Sequence, residues 1–278
     1  MSFKTAVATA LDALRERLYT ETVRDTAERL GLLSTIRETY FVAYNWSRGD
    51  TIDVTVDGAS ATFHVLNYKQ WRVMTRLQGS ESGVAQKLLS DLRPDDVFWD
   101  VGANVGQYSC LAADILDGGA VVAFEPYPPN VEILERNVGL NRSNVDVRSV
   151  ALSDSEGETT FYLVDTADAG ASQGSIEREY ATVDDDTTAV TVETTTGERL
   201  VQVDNVPIPD VVKMDIEGAA PAAIRGMADI LRSNVRVIVV ETHDNSPEVV
   251  DLLEELGFHL EYGRDRDSLP MVFGYGCQ

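Results

Sequence analysis

Apolar residues recur along this chain with more than one period, and the changes of period divide it. Near the start Val7, Leu11, Leu14 and Leu18 fall three or four positions apart, the spacing of one helix face, and a second helix is expected to end at Gly31. Residues 51–56 and 61–65 alternate apolar and polar around Asp57-Gly58, which predicts a β-hairpin, and 84–92 returns to a helical pattern. From residue 96 short β-branched runs at 97–100, 121–124, 145–150, 211–214 and 235–240 are separated by helical stretches. Runs of this kind belong to strands covered on both faces, so five parallel strands are expected.

The intervening helices are legible in the same way. Tyr108, Leu111, Ala112, Ile115 and Leu116 form one apolar face, with Gly118 placed to end it. Ser246 and Pro247 read as N-cap and first turn for Val249, Leu252, Leu253 and Leu256, closed by Gly257. Two strand-like pieces follow, 258–262 and 271–275, joined by a charged turn. The predicted fold is α/β: a doubly wound, mostly parallel sheet over 81–278 with a C-terminal antiparallel hairpin, preceded over 1–80 by a helical and hairpin extension. That extension serves either as packing or as a homo-oligomer contact. Residues 165–188 are polar and aperiodic, a loop that is either a substrate lid or a solvated insertion.

Composition narrows the partners. With 278 residues and 44% hydrophobic content the chain can bury a sizeable core. Its 23 Lys and Arg against 46 Asp and Glu give a net charge of −23, the wrong sign for a nucleic-acid binder. Lys4, Lys69, Lys87 and Lys213 are its only lysines. Dense carboxylates with few lysines are the pattern of a halophilic protein, kept hydrated where salt screens its self-repulsion. Two cysteines, Cys110 and Cys277, make no disulfide framework, and no run reaches the roughly 18 to 20 apolar residues that span a bilayer. The expectation is a soluble cytoplasmic protein without a transmembrane segment.

The chemistry begins with DVGANVG at 100–106, which follows a strand and opens a helix. A glycine-lined turn there lets a ligand approach the backbone and meet the helix N-terminus. Glu125 ends the next strand, where a carboxylate can accept from both hydroxyls of a ribose. That spacing does not separate S-adenosylmethionine from NAD. The glycines discriminate better: a dinucleotide turn carries GxGxxG, whereas GxxxG preceded by Asp100 suits a cationic amino-acid moiety, whose ammonium Asp100 would face.

DVGANVG, then FEPYPPN at 124–130, ALSD at 151–154 and KMDIEGA at 213–219 together resemble the FkbM family of S-adenosylmethionine-dependent methyltransferases, from about residue 81 onward. The resemblance implies a class I methyltransferase sheet, for which a terminal hairpin is usual, and S-adenosylmethionine as cofactor. It further implies a hydroxyl acceptor on a sugar, glycolipid or small metabolite, with a uronic acid carboxylate as the variant needing no base. Carried over by position, Asp100, Gly102, Ala103, Asn104 and Gly106 line the methionine end, Glu125 holds the ribose, and Ala151 to Asp154 border the adenine. Asn104 and Asp154 are also plausible turn-formers. Ala220 stands where the family often has an acid.

Strand alternation puts Lys213 and Asp215 on one side, with Val212, Met214 and Ile216 on the other. The pair either braces the sheet as an ion pair or serves catalysis. Glu241-Thr-His-Asp244 ends the next strand, so Asp215, Glu217, Glu241 and His243 are candidates to surround the acceptor; His64 and His259 lack such company. Asp215 or His243 is the expected base, with Lys213 and Glu217 positioning. Asp215, Glu241 and His243 are suitable metal ligands, yet nothing fixes their geometry and no metal is expected. The rival readings are a nicotinamide-dependent oxidoreductase, which lacks its third glycine here, and a cofactor-binding scaffold without turnover. Base methylation at nitrogen is disfavoured, since the chain lacks the Asn or Asp followed by Pro-Pro and an aromatic that such enzymes carry, and Asp215 occupies that strand end.

A net charge of −23 makes self-repulsion a property to test. The thermal midpoint is expected to climb as KCl is raised from roughly 0.1 M to 2 M, well beyond the range over which Debye screening saturates for a neutral protein. A midpoint indifferent to salt would remove the high-salt reading.

Overall fold

The computed structural model describes residues 7, 10, 11, 32–78, 82–163, 174, 175, 188–216, 218–242, 246–263 and 271–276. Of the expected N-terminal helices only Val7, Ala10 and Leu11 fall within this set, and they are helical; the rest of 1–31 lies outside it. In chain order the elements are α1 (Leu33–Arg48), β1 (Thr51–Val56), β2 (Ala59–His64), α2 (Tyr68–Arg76), α3 (Ser82–Ser90), β3 (Val97–Val101), α4 (Gln107–Ile115), β4 (Ala120–Phe124), α5 (Pro128–Asn141) and β5 (Val145–Arg148). They continue with β6 (Ala151–Leu152), β7 (Gly157–Leu163), β8 (Gly174–Ser175), β9 (Thr188–Thr195), α6 (Gly197–Gln202), β10 (Val211–Met214), α7 (Ala220–Arg225), α8 (Ala228–Ser233), β11 (Val237–Glu241), α9 (Ser246–Glu255), β12 (Phe258–Gly263) and β13 (Met271–Gly276).

The central sheet has the order β12-β13-β11-β10-β3-β4-β5. Its five strands β5, β4, β3, β10 and β11 are parallel, as their apolar runs predict, and β13 enters antiparallel between β11 and β12. The order reverses at β3, which places the carboxyl ends of β3, β4 and β10 around one crevice. Successive strand residues go to opposite faces. Phe98, Val121, Val211 and Val237 join one core with Leu111 and Ala112 of α4. Trp99, Val122, Val212 and Ile238 join the other, with Ala223, Ile224, Leu231 and Leu253 of α7, α8 and α9. Both faces are sealed by helices, which is why the strands carry no polar alternation.

Local signals set the element ends. The Asn67 side chain accepts from the backbone N–H of Gln70 and caps α2, and Thr196 does the same for α6 through Arg199. The helix expected to run to Gly118 stops at Ile115 instead, with Leu116 already extended. The hairpin β1–β2 forms around the predicted turn, its second strand beginning at Ala59 where 61 was expected, with Asp57 and Gly58 both at positive φ. It lies over α4 and α5, and Val54, Phe63 and Trp71 share a continuous core with Phe98 and Leu111.

Helices α1 and α2 were not anticipated; the polar and apolar residues of α1 produce no clean face beyond Tyr40, Phe41 and Tyr44. The four-stranded sheet β6-β9-β7-β8 was also missed. Threonines dominate β9, where Val192 is the buried apolar residue, and the apolar cluster under the sheet is small, with Ala151, Phe161, Leu163 and Val192 packed on Tyr127. Part of the expected loop at 165–188 therefore pairs, since Gly174–Ser175 forms β8 and Thr188 opens β9; the remainder lies outside the described residues.

At the amino ends of the strands, Arg236 pairs with Asp96 at 2.5 Å, their side chains 13% and 6% exposed, and also donates to the Asp91 carbonyl. Removing one member of a buried pair strands the other. Asp96→Ala is expected to destabilise the protein by about 3 kcal/mol or more in urea unfolding; a loss under about 1 kcal/mol would show that water replaces the contact.

Candidate active site

The turn after β3 is built from backbone geometry. Gly102 and Gly106 stand at φ +77° and +86°, and Asn104 at +51°. A Cβ on Gly102 would lie 2.0 Å from the Asp215 carbonyl oxygen, and one on Gly106 would lie 2.4 Å from Leu134 Cδ1. Gly102 is thus required by the close approach of the backbone that follows β10, and Gly106 chiefly by its left-handed φ, with the end of the Leu134 side chain from α5 close by. The N–H groups of Gly102 and Ala103 both reach the Phe124 carbonyl at 3.0 Å, tying the turn to the end of β4.

Asp100 and Lys213 are cross-strand neighbours in the β3–β10 register. Asp100 is fully buried; Ser109 Oγ donates to its Oδ2 at 2.6 Å, and Lys213 Nζ lies 3.2 Å from Oδ1. Lys213 and Ser109 thus lie against the carboxylate expected to face a ligand's ammonium, and its buried Oδ1 makes no hydrogen bond among the described residues. Lys213 is 3% exposed, donates to the Gly102 carbonyl at 3.2 Å, lies 3.7 Å from Asp215 Oδ2 and 5.1 Å from the Tyr108 ring centroid. Burial opposes its charge, yet Asp100, Asp215 and Glu241 together hold its ammonium above the ordinary lysine value.

Asp215 follows β10, bonded by its N–H to the Val101 carbonyl, with its side chain 38% exposed. Val212 and Met214 are buried in the opposite core with Ile216 packed against it, as strand alternation predicts. Glu241 ends β11, near enough for its charge to act on Lys213. Glu217 and His243, two of the residues expected around an acceptor, lie outside the described residues. Among the described residues no group of three or more His, Cys, Asp or Glu side chains is arranged to hold a metal ion.

Glu125, 4% exposed, receives three protein donors: Tyr127 N–H at 3.0 Å and Asn130 Nδ2 at 3.3 Å on Oε1, and Asn104 N–H at 2.9 Å on Oε2. A carboxylate has about four acceptor positions. About one remains, on Oε2, where the sequence reading assigned two hydroxyls. Ala151 is buried in a cluster with Tyr127 and Phe161, while Asp154 is exposed in the bend between β6 and β7. A separate cavity of about 520 Å³, beside β5 and α6 and lined by Arg148, Glu156, Glu193, Arg199 and Asp204, contains none of the residues predicted from sequence.

The family model described as "Methyltransferase FkbM domain" matches residues 100–260, which hold all of the turn, Glu125, Lys213, Asp215 and Glu241. The chain belongs to the FkbM methyltransferase family. It is 33% identical to the hexuronic acid methyltransferase AglP of Haloferax volcanii over 76% of this chain and 84% of that protein. It is 30% identical to the 31-O-demethyl-FK506 methyltransferase FkbM of Streptomyces tacrolimicus, covering 60% and 74%. The solved structure of Methyltransferase FkbM from Methylobacillus flagellatus superposes with a TM-score of 0.46 at 15% identity, over 66% of this chain and 45% of that one. Among the described residues no helix is long and apolar enough to cross a membrane.

In this FkbM methyltransferase, reading the sequence missed Ser109 and Asn130, which donate to Asp100 and Glu125. Asn130 closes the FEPYPPN stretch, so its position was flagged, but no local pattern tells an Asn that donates to a carboxylate from one that caps a helix. Ser109 carried no signal beyond its place in a helix turned toward β3.

Burial pushes the Glu125 carboxyl up to about 7, against the opposing N–H donors of Tyr127, Asn130 and Asn104 and the charge of Lys213. The folded protein then keeps a proton that the unfolded chain releases near the ordinary value of 4.5. The stability this contributes is present below that value and is lost as pH rises through 7. Between pH 5 and 8 the wild type is expected to lose stability relative to Glu125→Gln by roughly 2 to 3 kcal/mol at most. Parallel pH profiles of the two proteins in urea unfolding would refute the shift.

Proposed function

We propose that this methyltransferase uses S-adenosylmethionine and transfers its methyl group to an oxygen, a hydroxyl or carboxylate of a sugar, glycolipid or small metabolite. One observation carries the reading: the DVGANVG turn, the partly unfilled carboxylate of Glu125 and the Lys213–Asp215 pair meet at the carboxyl ends of three adjacent parallel strands. The residues fit the cofactor on one count: Asn104 Oδ1 is a buried acceptor with no hydrogen-bond partner among the described residues. A donor from the ligand would satisfy it.

In this reading the turn from Gly102 to Gly106 holds the methionine end, Glu125 accepts from one ribose hydroxyl, and Ala151 borders the adenine while Asp154 shapes the bend. Asp100 acts through Lys213 and Ser109. When bound, the cofactor supplies a methyl group already activated on a sulfonium, which leaves the protein to align the acceptor and remove a proton. Asp215, half-buried and beside a fixed cation, takes the proton of an acceptor hydroxyl as the oxygen–methyl bond forms. Lys213 holds Asp215 in place and keeps the buried charges balanced. Glu217, Glu241 and His243 are the further candidates to contact the acceptor, His243 as the alternative base.

The likeness to a hexuronic acid methyltransferase supports a uronic acid or related sugar as acceptor. If the acceptor group is a carboxylate, no base is needed, and the two cases separate by experiment. The same relative comes from Haloferax, which accords with the lysine-poor, acidic composition and supports a cytoplasmic enzyme working at high salt.

The test is calorimetric titration of S-adenosylmethionine into the purified protein, with NAD as comparison, followed by turnover on uronic acid and neutral sugar acceptors. S-adenosylmethionine alone is expected to bind, and Glu125→Ala to weaken it by about tenfold or more. Asp215→Asn is expected to keep that affinity and lose about 10²- to 10⁴-fold in kcat on a hydroxyl acceptor, but little on a carboxylate. No binding by well-folded protein would sink the reading.

A further inference from the structure

The N-terminal hairpin reaches the cofactor turn through one side chain. Asn137 lies in the last turns of α5 and is completely buried. Its Oδ1 accepts from the backbone N–H of His64 in β2 at 2.9 Å, and its Nδ2 donates to the carbonyl of Val105 in the DVGANVG turn at 2.7 Å. The two bonds use both ends of one amide, so the hairpin and the turn fix the same plane.

The neighbouring contacts explain why the hairpin can act as an anchor. β1 pairs with one edge of β2, and side chains saturate the other. Asp114 Oδ2 accepts from Ser60 N–H at 2.8 Å, and Asn141 both accepts from Thr62 N–H and donates to its carbonyl at 2.7 Å. Asn137 and Asn141 are four helical residues apart, an axial rise of about 6 Å. Alternate N–H groups along a strand are about 6.6 to 6.8 Å apart, so the two asparagines match His64 and Thr62 in step. Only Asn137 continues to the turn. There the N–H groups of Gly102 and Ala103 are held by the Phe124 carbonyl at the end of β4 and that of Asn104 by Glu125 just after it, while the Gly102 carbonyl accepts from Lys213. The Val105 carbonyl has Asn137, and Val105 itself is fully buried.

We propose that Asn137 is a positioning residue for the cofactor turn, and that through it the β1–β2 hairpin is part of the S-adenosylmethionine-binding machinery. The inference rests on the cofactor assignment above. Asn137 acts on the ligand only by setting the orientation of the Val105 peptide, and with it the entry into α4.

The experiment compares Asn137→Ala with Asn141→Ala in the full chain. Both lose hairpin hydrogen bonds, so both are expected to lower the thermal midpoint. Only Asn137→Ala is expected to speed hydrogen exchange of the Gly106 amide, which bonds to the Ala103 carbonyl within the turn, in protein without ligand. At a temperature well below both midpoints it is expected to raise the Kd for S-adenosylmethionine about five- to tenfold, with Asn141→Ala within twofold of the wild type. Equal effects of the two variants on exchange and Kd, or none from Asn137→Ala, would overturn the proposal. If Asn137→Ala does not fold, Asn137→Asp keeps the acceptor for His64 and removes the donor to Val105, and the same two readouts decide. A wild type that does not bind S-adenosylmethionine would overturn the cofactor assignment; the exchange comparison would still decide whether Asn137 orders the turn.

Discussion

Burying a lysine ammonium inside a parallel sheet costs several kcal/mol unless its charge is met on every side, and the rest of this site follows from how that is done. Lys213 lies between Asp100 on β3 and Asp215 at the end of β10, with the Gly102 carbonyl as a further acceptor. Those contacts draw the ends of two adjacent strands and the first glycine of the turn to one point. They also favour the charged form of the Lys213 ammonium, while Asp215, with a side chain 38% exposed, is the partner open to solvent.

The turn above this cluster has little freedom left. Gly102 is pressed against the Asp215 backbone, so a side chain there would have to displace the segment after β10, and Gly106 holds a left-handed φ with the end of the Leu134 side chain against it. The peptide groups between them are assigned one by one to Phe124, Glu125 and Asn137. A site preorganised in this way does not spend binding energy on ordering its own backbone. Glu125 shows the accompanying cost: three donors that pin the turn and the start of α5 also occupy most of the carboxylate and leave about one position for a ligand. Rigidity here comes from polar atoms already engaged with the protein.

How much of this was legible in advance depended on the range of the signal. The five parallel strands, the terminal hairpin, the β1–β2 turn and the side of β10 that carries Lys213 all follow from periods of two to four residues, and all are found where that pattern puts them. The small sheet did not announce itself, because threonine-rich strands such as β9 bury only every second residue and bury few of those. Asp100 was assigned to a ligand because it ends a strand before a glycine turn. The choice between a ligand's ammonium and Lys213 was open, since the two residues are 113 positions apart and nothing in either neighbourhood reports the other.

By itself, then, the sequence determined the α/β class, the strand and helix succession, and the motifs that place this chain among the FkbM methyltransferases. Each is encoded by residues close together in the chain, where a face is either apolar or it is not. The tertiary structure alone decided the partner of each polar atom: Ser109 on Asp100, Asn130 on Glu125, Asn137 between His64 and Val105. Hydrophobic patterning tells which side of an element is buried, because burial is non-directional. A hydrogen bond or a close ion pair needs its atoms within about 3 Å and aligned, and that condition is met only once distant segments are packed.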